Sequence, residues 1–175
     1  SGFSLLNDDF KAHWEKKANF IGKEDESPAD VYERAGIYAE FGKIVCISVG
    51  FIKIENNVKT LRLKSYANDD ETILINDFFE LLNNHYSHKD ALLCAHNGKE
   101  FDFPYIARRA LVNGITIPEI LDLAGKKPWE VNHLDTLQLW KFGDYKHYTS
   151  LSLLTTIFNI PTPKDDIDGS MVNQV

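Results

Sequence analysis

Sulfur is scarce in these 175 residues, which hold two cysteines and one methionine. Cys46 and Cys94 both fall in apolar, strand-like runs without metal-ligand spacing. We expect them to be small buried hydrophobes rather than a disulfide or a thiolate metal site. Long apolar runs are missing as well. None approaches the roughly 20 residues of a membrane span, and the start lacks the pattern of a signal peptide. These absences point to a cytoplasmic chain with no membrane association. No internal repeat or low-complexity tract is present, and 43% hydrophobic content suffices for one sizeable core, so a single domain over residues 1–175 is expected. An excess of basic charge is lacking too. The net charge of −7 and pI near 5.3 argue against nucleic-acid binding through bulk electrostatics. The balance is uneven, however: from His96 to Thr149 seven acids meet seven Lys and Arg, so the negative excess lies elsewhere. Acidic balance is compatible with phosphate chemistry where bound divalent ions reverse the local potential, and equally with an ordinary soluble surface.

Phe10, Trp14 and Ala18 recur at helical spacing and predict a helix near 8–20, followed by an exposed loop over 23–30. The acids Asp8-Asp9 and Glu24-Asp25-Glu26 read as solvated charges. GKIVCISVGFIKI (42–54) is rich in β-branched residues, and 58–66 alternates Leu61, Leu63 and Ser65 against Arg62 and Lys64. With Asn56-Asn57 between them, the two predict a β-hairpin whose second strand is an edge. Asn68 or Asp70 caps a helix bearing Glu71 in its first turn, with Leu74, Phe78, Leu81, Leu82 and a partly buried His85 as its stripe. Ala91 to Ala95 reads as a strand covered on both faces. A helical turn over 118–123 and a loop with Lys126 and Lys127 precede a further strand over 129–135. Leu137, Leu139, Trp140 and Phe142 read as packing residues. Ser150 caps a last helix with Leu151, Leu154, Ile157 and Phe158 facing inward. Hairpin, helix, strand, helix, strand, helix is the order of an α/β domain.

Chemistry concentrates in HNGKEFDFPYIARR (96–109). Asn97-Gly98 turns the chain, Pro104 suits a first helical turn and Gly114 suits the end. Asp102 is therefore placed at a helix N-terminus, beyond the carboxyl end of an interior strand. Phe103, Ile106, Ala107, Ala110 and Leu111 would pack inward, leaving Tyr105, Arg108, Arg109 and Val112 to meet a polyanion. A carboxylate at a strand end suits Mg²⁺, which prefers oxygen ligands and keeps several waters. The plainer reading of Asp102 is a helix cap. Asp135 reads as a helix cap or a supporting group. Lys141, Lys146 and Tyr148 flank the Gly143-Asp144 turn as a basic and aromatic loop able to hold single-stranded nucleic acid. Asp165, Asp166 and Asp168 form the other dense acid cluster.

Asn97, Phe101 and Asp102 in the pattern N-x-x-x-F-D, followed by Pro104-Tyr105, resemble the second exonuclease motif of the DEDD 3′–5′ exonucleases. Together with GKKPWEVNHLDTLQLWKFGDYKHYTSLSLL and PTPKDDIDGS, the stretch from Ala35 to Ser170 resembles the predicted 3′–5′ exonucleases related to the proofreading domain of family-B DNA polymerases. The resemblance implies a ribonuclease H-like α/β fold, a mixed β-sheet with helices on both faces. It also implies removal of nucleotides from the 3′ end of single-stranded DNA or RNA with two Mg²⁺ or Mn²⁺ ions. Asp102 would be the catalytic metal ligand, and Asn97 and Phe101 would shape the terminal-nucleotide pocket. Tyr105, Arg108, Arg109, Lys127 and Lys146 would line the strand. The family's D-x-E and Y-x-x-x-D motifs are not found; Tyr66 to Asp70 has the letters of the latter but lies at the hairpin exit. The chain, opening at Ser1-Gly2, is thus expected to be a fragment incomplete at both ends, or a nucleic-acid-binding or scaffold relative without catalysis; a plain interaction module is a third class. Because the D-x-E strand of the family lies between the strands expected at 43–54 and 91–95, these two are expected not to pair directly.

Overall fold

In the computed structural model, residues 2–144 and 146–161 are described. They cluster into two compact units, one reaching Gly42 and one starting at Lys43. In the first unit, helix α1 (Asp8–Ile21) starts where the Asn7 side chain accepts the Phe10 N–H at 2.8 Å, and Asp8 and Asp9 complement the helix dipole. Its Trp14 and Ala18 are buried with Val31 and Ala35. The Trp14 indole donates to the Pro28 carbonyl at 2.8 Å, and Tyr32 and Phe41 stack edge-on against it. Pro28 opens a one-turn helix, α2 (Pro28–Val31), inside the stretch expected to be loop. Ser27 and Asp30 form a reciprocal capping box there.

The second unit begins with the expected hairpin. Strands β1 (Cys46–Glu55) and β2 (Val58–Ala67) pair antiparallel from Cys46↔Ala67 to Glu55↔Val58. Asn56 and Asn57 have φ of 51° and 61°, the left-handed pair a two-residue turn needs to match strand twist. Helix α3 (Glu71–His85) is capped by Asp70, which accepts the Thr72 N–H at 2.8 Å. It buries Leu74, Ile75, Phe78, Phe79 and Leu82, and Phe78 meets Tyr66 of β2. His85 is exposed, not partly buried: it lies on the last turn, past the residues that pack.

Strand β3 (Cys94–Ala95) and strand β4 (Leu134–Asp135) form a second ladder, parallel, with Cys94↔Leu134 and Ala95↔Asp135. Between them lie helix α4 (Asp102–Val112) and a 3₁₀ turn at Glu119–Leu121; helices α5 (Thr136–Lys141) and α6 (Leu151–Ile157) follow. The class is α/β, mixed helices and strands consistent with an exonuclease-like fold. Among the described residues both strand senses occur in two separate two-stranded sheets, and β1 shares no ladder with β3. Several burial expectations are corrected. Cys46 and Cys94 are free but exposed, and Leu92 is exposed, so 91–95 is not covered on both faces. Residues 129–135 contain a 3₁₀ turn at Pro128–Glu130 before a two-residue strand, because Pro128 and a Glu130 side chain bound to the Lys127 N–H wind the backbone. Leu137 and Leu154 are buried, whereas Leu139, Phe142, Leu151, Ile157 and Phe158 stay exposed; helices this short bury one face-centre residue each. No described helix is long and apolar enough to cross a membrane.

Candidate nuclease-like site at the ends of two parallel strands

The carboxyl ends of parallel strands are where backbone direction gathers loops and helix N-termini, and so where α/β proteins tend to bind ligands. Here β3 runs into the turn at Asn97-Gly98 and then into α4, and β4 ends on Asp135. Asn97 takes φ of 62°, and a Cβ on Gly98 would stand 2.5 Å from Ala95 Cβ and 3.0 Å from Phe103 Cζ. Only glycine lets the turn fold back so tightly. Asp135, 2% exposed, holds the turn from below. Its Oδ1 accepts the Asn97 N–H at 2.9 Å and the Leu137 N–H at 3.0 Å, and its Oδ2 accepts the Lys99 N–H at 3.1 Å. Asp135 is thus the α5 cap and a staple between the two strand ends. Both carboxylate oxygens are spent on backbone donors.

Asp102 is the first residue of α4 and remains exposed. Crowding by protein raises its carboxyl above the ordinary range, and the neighbouring Asp135 charge adds to this, while its own backbone N–H and His96 pull the other way. His96 bridges β3 to the loop before α6. Its Nε2 must donate to the Thr149 carbonyl at 2.8 Å, since a carbonyl only accepts, so in the neutral ring Nδ1 accepts from Thr136 Oγ1 at 3.0 Å. The Trp140 indole donates to Thr149 Oγ1 at 3.2 Å and completes the anchor. Beneath the site, buried His133 accepts the Leu93 N–H through Nδ1 at 3.2 Å and donates from Nε2 to the Ile120 carbonyl at 2.8 Å. Burial lowers its pKa, with Lys126 and Lys99 acting in the same direction.

The motif brings Asn97, Phe101, Asp102 and Arg108 together on the turn and α4, with Arg108 exposed and Phe101 41% exposed against the Tyr105 ring. Two members of the face expected to be open are corrected. Tyr105 is buried, and Arg109 is 8% exposed. Arg109 Nε donates to Glu71 Oε1 at 2.9 Å, and its Nη2 donates to Glu71 Oε2. The Ile44 N–H and Asn113 Nδ2 donate to the same carboxylate at 2.6 and 3.0 Å. Burial works to raise Glu71, but these donors outweigh it and hold the carboxylate below its usual range. Leu111, expected inside, is exposed: the inward face of α4 is rotated toward Glu71. Lys127 and Lys146 are exposed on separate loops, and Asp165, Asp166 and Asp168 lie outside the described residues. The Glu71–Arg109 clamp and the His96 and His133 anchors had no sequence signature, because each joins residues far apart in the chain. Asp135 did have one, an acid directly before a short apolar helix.

A divalent ion is what such an acid would hold. Among the described residues no group of three or more His, Cys, Asp or Glu could bind one, and Asp135 already accepts backbone N–H groups through both oxygens while Asp102 is exposed. One carboxylate plus waters and a phosphate is an ordinary shell for a single Mg²⁺; it does not fit a two-ion centre.

The site is an exposed acid at the helix start that follows a parallel strand of an α/β scaffold. Residues 37–175 match the model of a family described as a predicted 3′-5′ exonuclease related to the exonuclease domain of PolB, and the chain belongs to that family. Neither the curated proteins nor the solved structures gave a match.

Proposed function

We propose that this chain acts on the 3′ ends of single-stranded DNA or RNA as a 3′–5′ exonuclease dependent on Mg²⁺ or Mn²⁺. The observation that carries the reading is Asp102, exposed at the start of α4 after a turn that Asp135 fixes by accepting the Asn97 and Lys99 N–H groups. Asp102 would ligate metal; a divalent ion there would polarise phosphate and activate water. Asn97 and Phe101 would border the terminal nucleotide, and Arg108, Lys127 and Lys146 would contact phosphates. Tyr105 and Arg109 would support that surface from inside rather than touch the strand. Further ligands for a two-ion mechanism would come from residues outside those described.

The test is stepwise shortening of a 5′-labelled single strand under Mg²⁺ and Mn²⁺ titration, for these 175 residues and for Asp102→Ala. Stepwise release that Asp102→Ala abolishes supports the reading. Strand binding without metal-dependent release favours the second reading, a nucleic-acid-binding or scaffold relative that is catalytically incomplete. The lack of a metal-competent cluster among the described residues is what favours that alternative.

A further inference from the structure

Three tryptophans occur in the chain, and two are committed to structure: Trp14 is fully buried, and Trp140 is half-buried with its indole N–H bound to Thr149. Trp129 is 76% exposed. Its backbone is nonetheless fixed. It sits in the middle of the Pro128–Glu130 turn, where the Lys127 N–H donates to Glu130 Oε2 at 2.7 Å and the Glu130 N–H donates to the Lys127 carbonyl at 2.9 Å. Just beyond it, Lys99 Nζ donates to the Val131 carbonyl at 2.9 Å, tying this loop to the same Asn97–Lys99 turn that Asp135 holds.

One cation lies close to the indole. Lys127 Nζ lies 5.2 Å from the ring centroid, and the charges of Lys126 and Lys99 both reach His133 behind the loop. The local acids are partly occupied, Glu130 by the Lys127 N–H and Asp122 by the Ala124 N–H. An exposed indole on a hydrogen-bonded turn with one ammonium group beside it matches a nucleobase joined to a phosphate: every base has a π-face to stack, and stacking does not need a positive net charge. This suits a chain whose net charge of −7 rules out bulk attraction.

We infer that Trp129, with Lys127 and Lys126, forms a stacking subsite for an unpaired base of single-stranded nucleic acid, separate from the Asp102 turn and joined to it through Lys99. The inference rests on the nucleic-acid reading proposed above. It adds a contact that sets which stretch of the strand is gripped, independently of hydrolysis.

The test is a titration of the 175-residue protein with oligothymidylate in excess chelator, so that no cleavage occurs, followed by tryptophan fluorescence and by anisotropy of a labelled strand. Quenching is expected in the wild type, and its loss in Trp129→Phe. Trp129→Leu should bind roughly tenfold or more weaker. Lys127→Ala should flatten the log-affinity against log-salt slope by about 0.7. Unchanged melting temperatures would show that these exposed-site variants fold. If the wild type binds the strand and Trp129→Leu binds it equally well, the subsite is overturned while the nuclease reading stands. If the wild type binds no single strand under any salt in chelator, the subsite is overturned, and the metal-dependent release assay alone decides the nuclease reading. Quenching by duplex DNA equal to that by the single strand would also overturn the subsite, since paired bases cannot stack on the indole.

Discussion

Glu71 and Arg109 meet across 38 residues, and each would be an isolated buried charge without the other. Arg109→Ala should therefore cost about 3–5 kcal/mol in denaturant unfolding, because the Glu71 carboxylate is left unpaired in the interior. Arg108→Ala, one residue away on the exposed side, should change stability by about 0.5 kcal/mol or less. Asp102 has the opposite character. Its folded pKa is raised, so the folded chain holds the proton more tightly than the unfolded chain, and ionisation at neutral pH works against folding. Asp102→Asn should unfold at higher denaturant than the wild type at pH 7, by about 1 kcal/mol or less given its exposure. That gain should vanish below the ordinary value near 3.8. His133 titrates in the other sense. Its folded pKa lies below 6.5, so its neutral ring contributes fully above that pH, and the contribution is lost as pH falls through the lower folded value. His133→Gln should cost about 1–3 kcal/mol at pH 7 by loosening its two backbone bonds. Its denaturation midpoint should then change less than the wild type's as pH drops from 6.5, which parallel titrations would show.

Among elements, those with a local code were legible. The Asn56-Asn57 turn, the Asp70 and Ser150 caps and the Trp14/Ala18 spacing each act within a few residues, and the hairpin, α3, α6 and α1 stand where the pattern puts them. Burial was less legible, since it depends on what arrives from elsewhere. Nothing in the α4 periodicity says that Glu71 waits on the Arg109 side, and nothing in α5 or α6 says that Leu139 or Phe158 meets no packed neighbour. The site follows the same division. Asp102 and the Asn97-Gly98 turn were readable as motif and turn chemistry, while the His96 and His133 anchors span 53 and 40 residues. The turn itself makes a sharp prediction. Gly98→Ala must push Ala95 or Phe103 aside, at roughly 1–3 kcal/mol, and should displace the start of α4. Strand binding should then weaken by more than the stability change explains, as anisotropy measured well below the melting temperature would reveal.

For the molecule as a whole, the hairpin is the least covered element. Register places Ile52 opposite Leu61 and Gly50 opposite Leu63, so one face carries Ile52, Ile54, Leu61 and Leu63, all exposed, with Leu63 at 75%. An apolar strip on an uncovered sheet face is a surface for sticking to itself unless something keeps copies apart. The net charge of −7 supplies that repulsion, and it reaches only as far as the ionic atmosphere permits, about 10 Å at 0.1 M salt and 3 Å at 1 M. Colloidal behaviour should thus run against the usual salt response of a nucleic-acid binder: adding salt releases the strand and at the same time brings protein molecules together. Light scattering of concentrated protein should rise with salt, and Leu63→Lys, which places a charge in the strip, should keep the solution clear.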